Sequence, residues 1–115
     1  MNCIIVDDEP LAKAEMQSLI LEVSKINILG TFSNAPTALE FLKTNVVDLI
    51  FLDIEMPLVT GLEFAKMLPK ECLVIFTTAY SQYALKSYEL DVIDYLLKPI
   101  EKSRLEKAIG KAILY

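Results

Sequence analysis

The sequence predicts a doubly wound α/β sandwich, a five-stranded parallel sheet with helices on both faces. Three observations carry that prediction. Short apolar runs and helical patterns alternate strictly, five times over. Most of the apolar runs are continuous rather than alternating, which suits strands covered on both sides. The chain has 115 residues, 54% of them hydrophobic, enough for one domain with a substantial core.

The elements follow in order. Residues 3–6 (CIIV) read as the first strand. Pro10 suits the first turn of a helix. Ala12, Met16, Leu19, Ile20 and Val23 then fall on one helical face. Residues 26–32 read as the second strand, and either Ser33 or Asn34 can cap a second helix running through Phe41 and Leu42. The third strand is predicted over 49–52, followed by a helix traced by Gly61, Phe64, Ala65 and Leu68 and stopped by Pro69. Residues 73–76 form the fourth strand, and Ala84, Leu85 and Tyr88 mark the fourth helix. The fifth strand covers 92–97. Leu105, Ala108, Ile109, Ala112 and Ile113 keep the spacing of a fifth helix. There is no internal repeat, low-complexity segment or linker, so residues 1–115 read as one domain with no second domain in this sequence.

Composition narrows the function. A net charge of −5 provides no electrostatic footprint for nucleic acid or an anionic membrane. Any contact with DNA has to come through a domain absent from this sequence. Cys3 and Cys72 sit in apolar runs, far apart, and read as buried thiols in a reducing compartment. No basic leader precedes the first strand, and no apolar stretch nears the ~20 residues that cross a bilayer. The expected location is cytoplasmic.

The chemistry gathers at strand ends. The run IIVDDEP closes the first strand with Asp7, Asp8 and Glu9; LIFLD closes the third with Asp53; VIFTTA closes the fourth with Thr77 and Thr78; YLLKP closes the fifth with Lys98. Open α/β sheets bind ligands beyond the carboxyl ends of the strands, where strand order reverses. For the order 2-1-3-4-5, the flavodoxin-like (βα)5 arrangement and the common solution for this element string, that point lies between the first and third strands. Taken singly, an Asp after a strand is an ordinary turn or cap residue. Four charged residues at matching ends exceed what turns require. Two carboxylates ~4 Å apart repel by roughly 4 kcal/mol at an effective dielectric of 20. Lys98 offsets only one charge, so a divalent cation is the natural remedy. All-oxygen ligands favour a hard ion. Mg²⁺ needs only one or two carboxylates and keeps its waters, whereas Ca²⁺ wants more protein oxygens.

Through VDDEP, LDIEMPLVTG, TTA and DYLLKP, in this order and spacing, the whole chain resembles the response-regulator receiver domain of two-component signalling. The stretch FTTAYSQYALKSYELDVIDYLLKPI further resembles receivers joined to LytTR-type (LytR/AlgR-like) DNA-binding domains. The resemblance implies that Asp53 accepts a phosphoryl group from a phosphohistidine on a sensor histidine kinase. Asp8 and Asp53 would ligate Mg²⁺ directly, with the backbone carbonyl of Glu55 as a further ligand and Asp7 acting through water. Lys98 would bridge phosphoryl oxygens, Thr78 would close on them, and Tyr95 would turn as the reporting aromatic. The Lys98–Pro99 peptide bond would be cis. The domain would assist its own phosphorylation and dephosphorylation without being an enzyme in the turnover sense. It would dimerise through the face of the fourth helix, fifth strand and fifth helix, and regulate transcription through the absent output domain.

Plainer readings stand beside these. Thr77 rivals Thr78, because strand alternation does not say which faces the site. Tyr95 can serve as packing, and Pro99 can simply fix a turn. Tyr80, Tyr83 and Tyr88 are ordinary packing singly and a partner surface if exposed together. The side chains of Glu9 and Glu55 are expected in solvent. A haloacid dehalogenase-like phosphohydrolase also uses an Asp with an acid two residues on, as in Asp53 and Glu55, but places the pair on its first strand. A flavodoxin-like cofactor binder would need a phosphate cradle where DDEP stands. A dimerisation module with an unused site remains the structural alternative.

Overall fold

In the computed structural model, which describes residues 1–81 and 92–115, the strands are β1 (Asn2–Val6), β2 (Asn27–Phe32), β3 (Leu49–Asp53), β4 (Leu73–Thr78) and β5 (Asp94–Leu97). All pair in parallel, in the order β2-β1-β3-β4-β5. The described helices are α1 (Pro10–Val23), α2 (Ala35–Leu42), α3 (Gly61–Ala65) and α4 (Lys102–Leu114), the last being the predicted fifth helix. The predicted fourth helix, with Ala84, Leu85 and Tyr88, lies outside the described residues.

Side chains alternate across the sheet and build two core layers. Cys3, Ile5, Phe51, Ile75 and Leu96 face α1 and α4, where Met16, Ile20, Leu105, Ala108 and Ile109 are buried. Ile4, Val6, Ile50, Leu52 and Phe76 face the other way, toward Ala35, Ala38 and Phe64 of α2 and α3. Burying a side chain such as Phe51 contributes about 1.5–3 kcal/mol. This is why the central strand β3, buried along its whole length, reads as an unbroken apolar run.

Four expectations need correction. The second strand is not covered on both faces: β2 alternates exposed and half-buried residues because it lies at the sheet edge. The third helix ends at Ala65 rather than reaching Leu68. Met67 and Leu68 donate to Phe64 and Ala65 in tight three-residue turns, as expected where Pro69 disfavours helical backbone at the residue before it. Ile113 is exposed in the last turn of α4, while Leu105, Ala108, Ile109 and Ala112 form the buried stripe. Cys3 is buried but Cys72 only half so; both thiols are free, and burial pushes them up to about 12 and about 11.

Capping also resolves. The Asn34 side chain, not Ser33, accepts from the Thr37 N–H at 2.9 Å to start α2. Thr60 and Glu63 close a reciprocal capping box at α3, with both backbone contacts at 3.2 Å. Among the described residues no helix is long and apolar enough to cross a membrane.

Candidate functional site

The strand registry brings the predicted residues to one edge. Val6 pairs with Leu52 and Asp53 with Thr77, so β1, β3 and β4 finish in adjacent rows. The Asp7 N–H donates to the Phe32 carbonyl at 3.0 Å, which continues the ladder one residue past β1. Asp7, Asp8 and Asp53 each present a carboxylate oxygen, all within 4.8 Å of one another. Asp7 and Asp53 are buried, whereas Asp8 is half-buried with its carboxylate toward solvent.

Among the described residues, Lys98 is the cation that offsets this negative charge. Lys98 Nζ lies 3.0 Å from Asp7 Oδ2, 3.5 Å from Asp53 Oδ1 and 3.6 Å from Glu9 Oε1. Its backbone N–H donates to the Thr78 carbonyl at 2.7 Å, and the Lys98–Pro99 peptide bond is cis. Burial works against the Lys98 charge. The hydrogen bond to Asp7 and the charges of Asp53, Asp7 and Glu9 outweigh it, so the ammonium is held above its ordinary pKa. Burial, aided by Asp7, Glu55 and Asp8, pushes the Asp53 carboxyl up to about 7 despite Lys98.

The donor set suits a hard divalent cation. Every donor is a carboxylate oxygen, and Asp53 Oδ1 is buried with no hydrogen-bond partner among the described residues. Charge points the same way: among the described residues, three carboxylates gather beside one ammonium.

Around Asp53 the sheet brings the hydroxyl into play. Thr78 is fully buried, and its hydroxyl donates to Glu55 Oε1 at 2.7 Å while accepting from the Tyr80 N–H at 3.0 Å. The Ala79 N–H donates to the same Glu55 oxygen at 3.2 Å. Glu55 was expected in solvent; its side chain is instead half-buried and turned toward β4. Tyr95 is half-buried and donates its hydroxyl to the Tyr80 carbonyl at 3.0 Å. Glu9 is largely exposed, as expected, though within reach of Lys98. Tyr83 and Tyr88 lie outside the described residues.

Two contributors escaped sequence reasoning in their true role. One is the Glu55 side chain. The other is Gly61, whose N–H donates to the Ile54 carbonyl at 2.9 Å. A Cβ there would sit 2.3 Å from the Asp53 carbonyl oxygen and 2.8 Å from Ile54 Cα. Its place after the Pro57–Thr60 loop was the available signal, since glycine marks close approach of backbone to backbone.

Fold and site together define a doubly wound domain with an acidic pocket at its switch point and a lysine beside it. The response regulator receiver domain model matches residues 3–110, and the chain belongs to that family. It is 43% identical over 113 residues to the transcriptional regulatory protein BtsR of Escherichia coli, covering 96% of this chain and 47% of that protein. It is 41% identical over 114 residues to the sensory transduction protein LytR of Staphylococcus haemolyticus, covering 96% and 44%. The chain thus spans under half the length of these two relatives, whose names agree with the LytR-like subgroup. Among solved structures, the response regulatory domain of mrkE from Klebsiella pneumoniae superposes with a TM-score of 0.90 at 37% identity, covering 99% of this chain and 96% of that one. TrrA of Thermotoga maritima, solved in complex with Mg²⁺ and a beryllium fluoride, superposes with a TM-score of 0.83 at 32% identity, covering 96% and 97%. Receiver membership sets aside the haloacid dehalogenase reading, in keeping with Asp53 closing the third strand rather than the first.

Proposed function

We propose that this domain accepts a phosphoryl group on Asp53 from a phosphohistidine of a sensor histidine kinase, with Mg²⁺, and thereby switches an output face. One observation carries the reading: a buried carboxylate, one oxygen of which has no hydrogen-bond partner among the described residues, stands between two further carboxylates and an ammonium. The TrrA complex with Mg²⁺ and beryllium fluoride supports the choice of ion.

An Asp53 oxygen attacks the phosphorus in line. The bond from phosphorus to the imidazole nitrogen breaks, and its electron pair returns to the ring. Asp8 and Asp53 would hold the cation directly, the Glu55 backbone carbonyl would complete the protein ligands, and Asp7 would act through water. Mg²⁺, when bound, supplies neutralising charge to the phosphoryl oxygens. Lys98 neutralises a further oxygen from its place between Asp7 and Asp53. Hydrolysis later returns the carboxylate and inorganic phosphate, which makes the signal temporary.

Phosphorylation adds charge and strong acceptor oxygens beside Thr78. Thr78 moves toward them, and Tyr95, bonded to the Tyr80 carbonyl, responds through the segment that follows β4. The face that β5 and α4 share with the helix predicted between β4 and β5, which lies outside the described residues, then dimerises, and a DNA-binding domain outside this sequence reads the change in a cytoplasmic regulator of transcription. Both ligand states must differ in their contacts for this to occur.

The test is incubation with a small acyl-phosphate donor and Mg²⁺, read by intact mass. Wild type gains one phosphoryl group and Asp53→Asn gains none. Labelling of both moves the acceptor elsewhere; labelling of neither favours the dimerisation module with an unused site.

A further inference from the structure

The Glu55 carboxylate is placed unlike a surface acid. One oxygen, Oε1, takes both the Thr78 hydroxyl at 2.7 Å and the Ala79 N–H at 3.2 Å. The other, Oε2, is buried with no hydrogen-bond partner among the described residues. Among the described residues, this half-buried carboxylate spends one oxygen on two donors and has none at the other, so those two donors hold it in place. Thr78 is fully buried, so its hydroxyl cannot turn to water instead.

These two donors lie at the end of β4, beside Asp53 at the end of β3. An acyl phosphate on Asp53 would present the oxygens of a group with close to two negative charges to the same hydroxyl and amide. Glu55 is already an anion acting on Asp53, being one of the charges that disfavour its ionised form. A phosphoryl group and the Glu55 carboxylate therefore repel each other and want the same partners.

We infer that the Glu55 side chain is an internal competitor of the phosphoryl group: it occupies the Thr78 hydroxyl and the Ala79 amide, and modification of Asp53 must displace it. The inference rests on Asp53 being the acceptor. Glu55 is a positioning residue here, because it acts through Thr78 and Ala79. Its consequence is a threshold. The end of β4 stays in its unmodified arrangement until an anion stronger than a carboxylate arrives, and Glu55 then swings free.

Binding of a beryllium fluoride with Mg²⁺ tests this at equilibrium, using the phosphoryl stand-in found on the related TrrA. Removing the competitor in Glu55→Ala should lower the half-saturating concentration about fivefold, the worth of one hydrogen bond. Simple loss of charge would also favour an anion, so the decisive comparison is made in Thr78→Val. There the gain should fall to about half or less, because the main donor is missing. Glu55→Gln, uncharged but still an acceptor, should give a smaller gain than Glu55→Ala. No gain in Glu55→Ala, or an equal gain in the Thr78→Val background, overturns the inference. Asp53→Asn separates the two claims: binding that survives there counts against Asp53 as acceptor. Hydrogen exchange of the Ala79 amide in the free protein reads the latch without any ligand. It should quicken about fivefold in Glu55→Ala, and an unchanged rate overturns the inference by itself.

Discussion

Lys98 holds its ammonium 3.5 Å from Asp53 Oδ1, close enough to offset the carboxylate's charge and too far for a good hydrogen bond. Its short contact goes to Asp7 instead, at 3.0 Å. Asp53 is left buried and without a good hydrogen bond among the described residues, and its carboxyl is pushed up to about 7 by burial and by Asp7, Glu55 and Asp8.

That imbalance predicts a pH dependence. An unfolded Asp titrates near about 3.9, so between about 4 and about 7 the folded metal-free protein binds more protons than the unfolded chain. Stability must fall as pH rises through this window and level off above it. Asp53→Asn removes that contribution. Urea denaturation in the presence of a chelator should show the variant more stable than wild type at pH 8, by on the order of 2–4 kcal/mol. The difference should shrink toward pH 4. Parallel pH profiles for the two proteins would contradict the argument.

Asp8 should change sign with the metal. Without Mg²⁺, Asp8→Ala relieves repulsion among carboxylates whose oxygens lie within 4.8 Å, and the melting temperature should rise. With Mg²⁺, wild type gains stability by mass action, while the variant binds at least about tenfold more weakly and gains little. Thermal unfolding at several Mg²⁺ concentrations gives both readings. An equal Mg²⁺ response in both proteins would remove Asp8 from the ligand set.

Thr78→Ala separates chemistry from output. Asp53, Asp7, Asp8 and Lys98 are untouched, so phosphoryl incorporation should remain within about threefold of wild type, less than the worth of one hydrogen bond. Dimerisation on phosphorylation, followed by light scattering, should be lost. Equal dimerisation in mutant and wild type would sever Thr78 from the switch.

How far the sequence reaches is clear from particular residues. β3 and β4 were legible because their apolar runs are unbroken, and Asp7, Asp8, Asp53 and Lys98 because charge at strand ends departs from that pattern. The half-exposure of β2 was only partly legible: Asn27 and Thr31 interrupt its run at two exposed positions, but Leu29 is exposed too, and that follows from the edge position of the strand in the sheet. The direction of the Glu55 side chain was not legible, since it is set by donors at the last residue of β4 and the one after it, 23 and 24 residues later in the chain.

Gly61 shows the same limit, and it can be tested against another glycine. A Cβ at Gly61 would lie 2.3 Å from the carbonyl oxygen of Asp53 itself, so backbone must move. Gly61→Ala should cost more than about 2 kcal/mol and depress phosphoryl incorporation, because the displaced residue is the acceptor. At Gly110 in α4 an added Cβ meets nothing within 4 Å. Gly110→Ala should therefore stabilise by about 0.5–1 kcal/mol through helix propensity and leave labelling unchanged. Similar losses from both substitutions would show that close approach to Asp53 is not what Gly61 provides.

Away from the site, Asp94 ties β5 to α4. Its carboxylate takes two hydrogen bonds from Arg104, at 2.7 and 2.9 Å, one from the Tyr95 N–H at 2.8 Å, and a contact from Lys111 Nζ at 3.0 Å. Burial alone would raise the Asp94 pKa. The bonds from Arg104, Tyr95 and Lys111 reverse that and bring it down to about 2. A carboxyl lowered on folding stabilises the protein above its unfolded pKa of about 3.9 and loses that contribution as pH falls through about 2. Asp94→Asn should thus cost about 2 kcal/mol at pH 7, with the deficit narrowing below pH 4. The same bonds hold Tyr95 and α4 in fixed relation, since Arg104 also donates to the Tyr95 carbonyl at 3.2 Å. If β5 and α4 move as one unit in the switch, Asp94→Asn should also weaken dimerisation of the phosphorylated domain without changing the rate at which Asp53 is labelled. Slower labelling would mean that the network supports the acidic pocket itself.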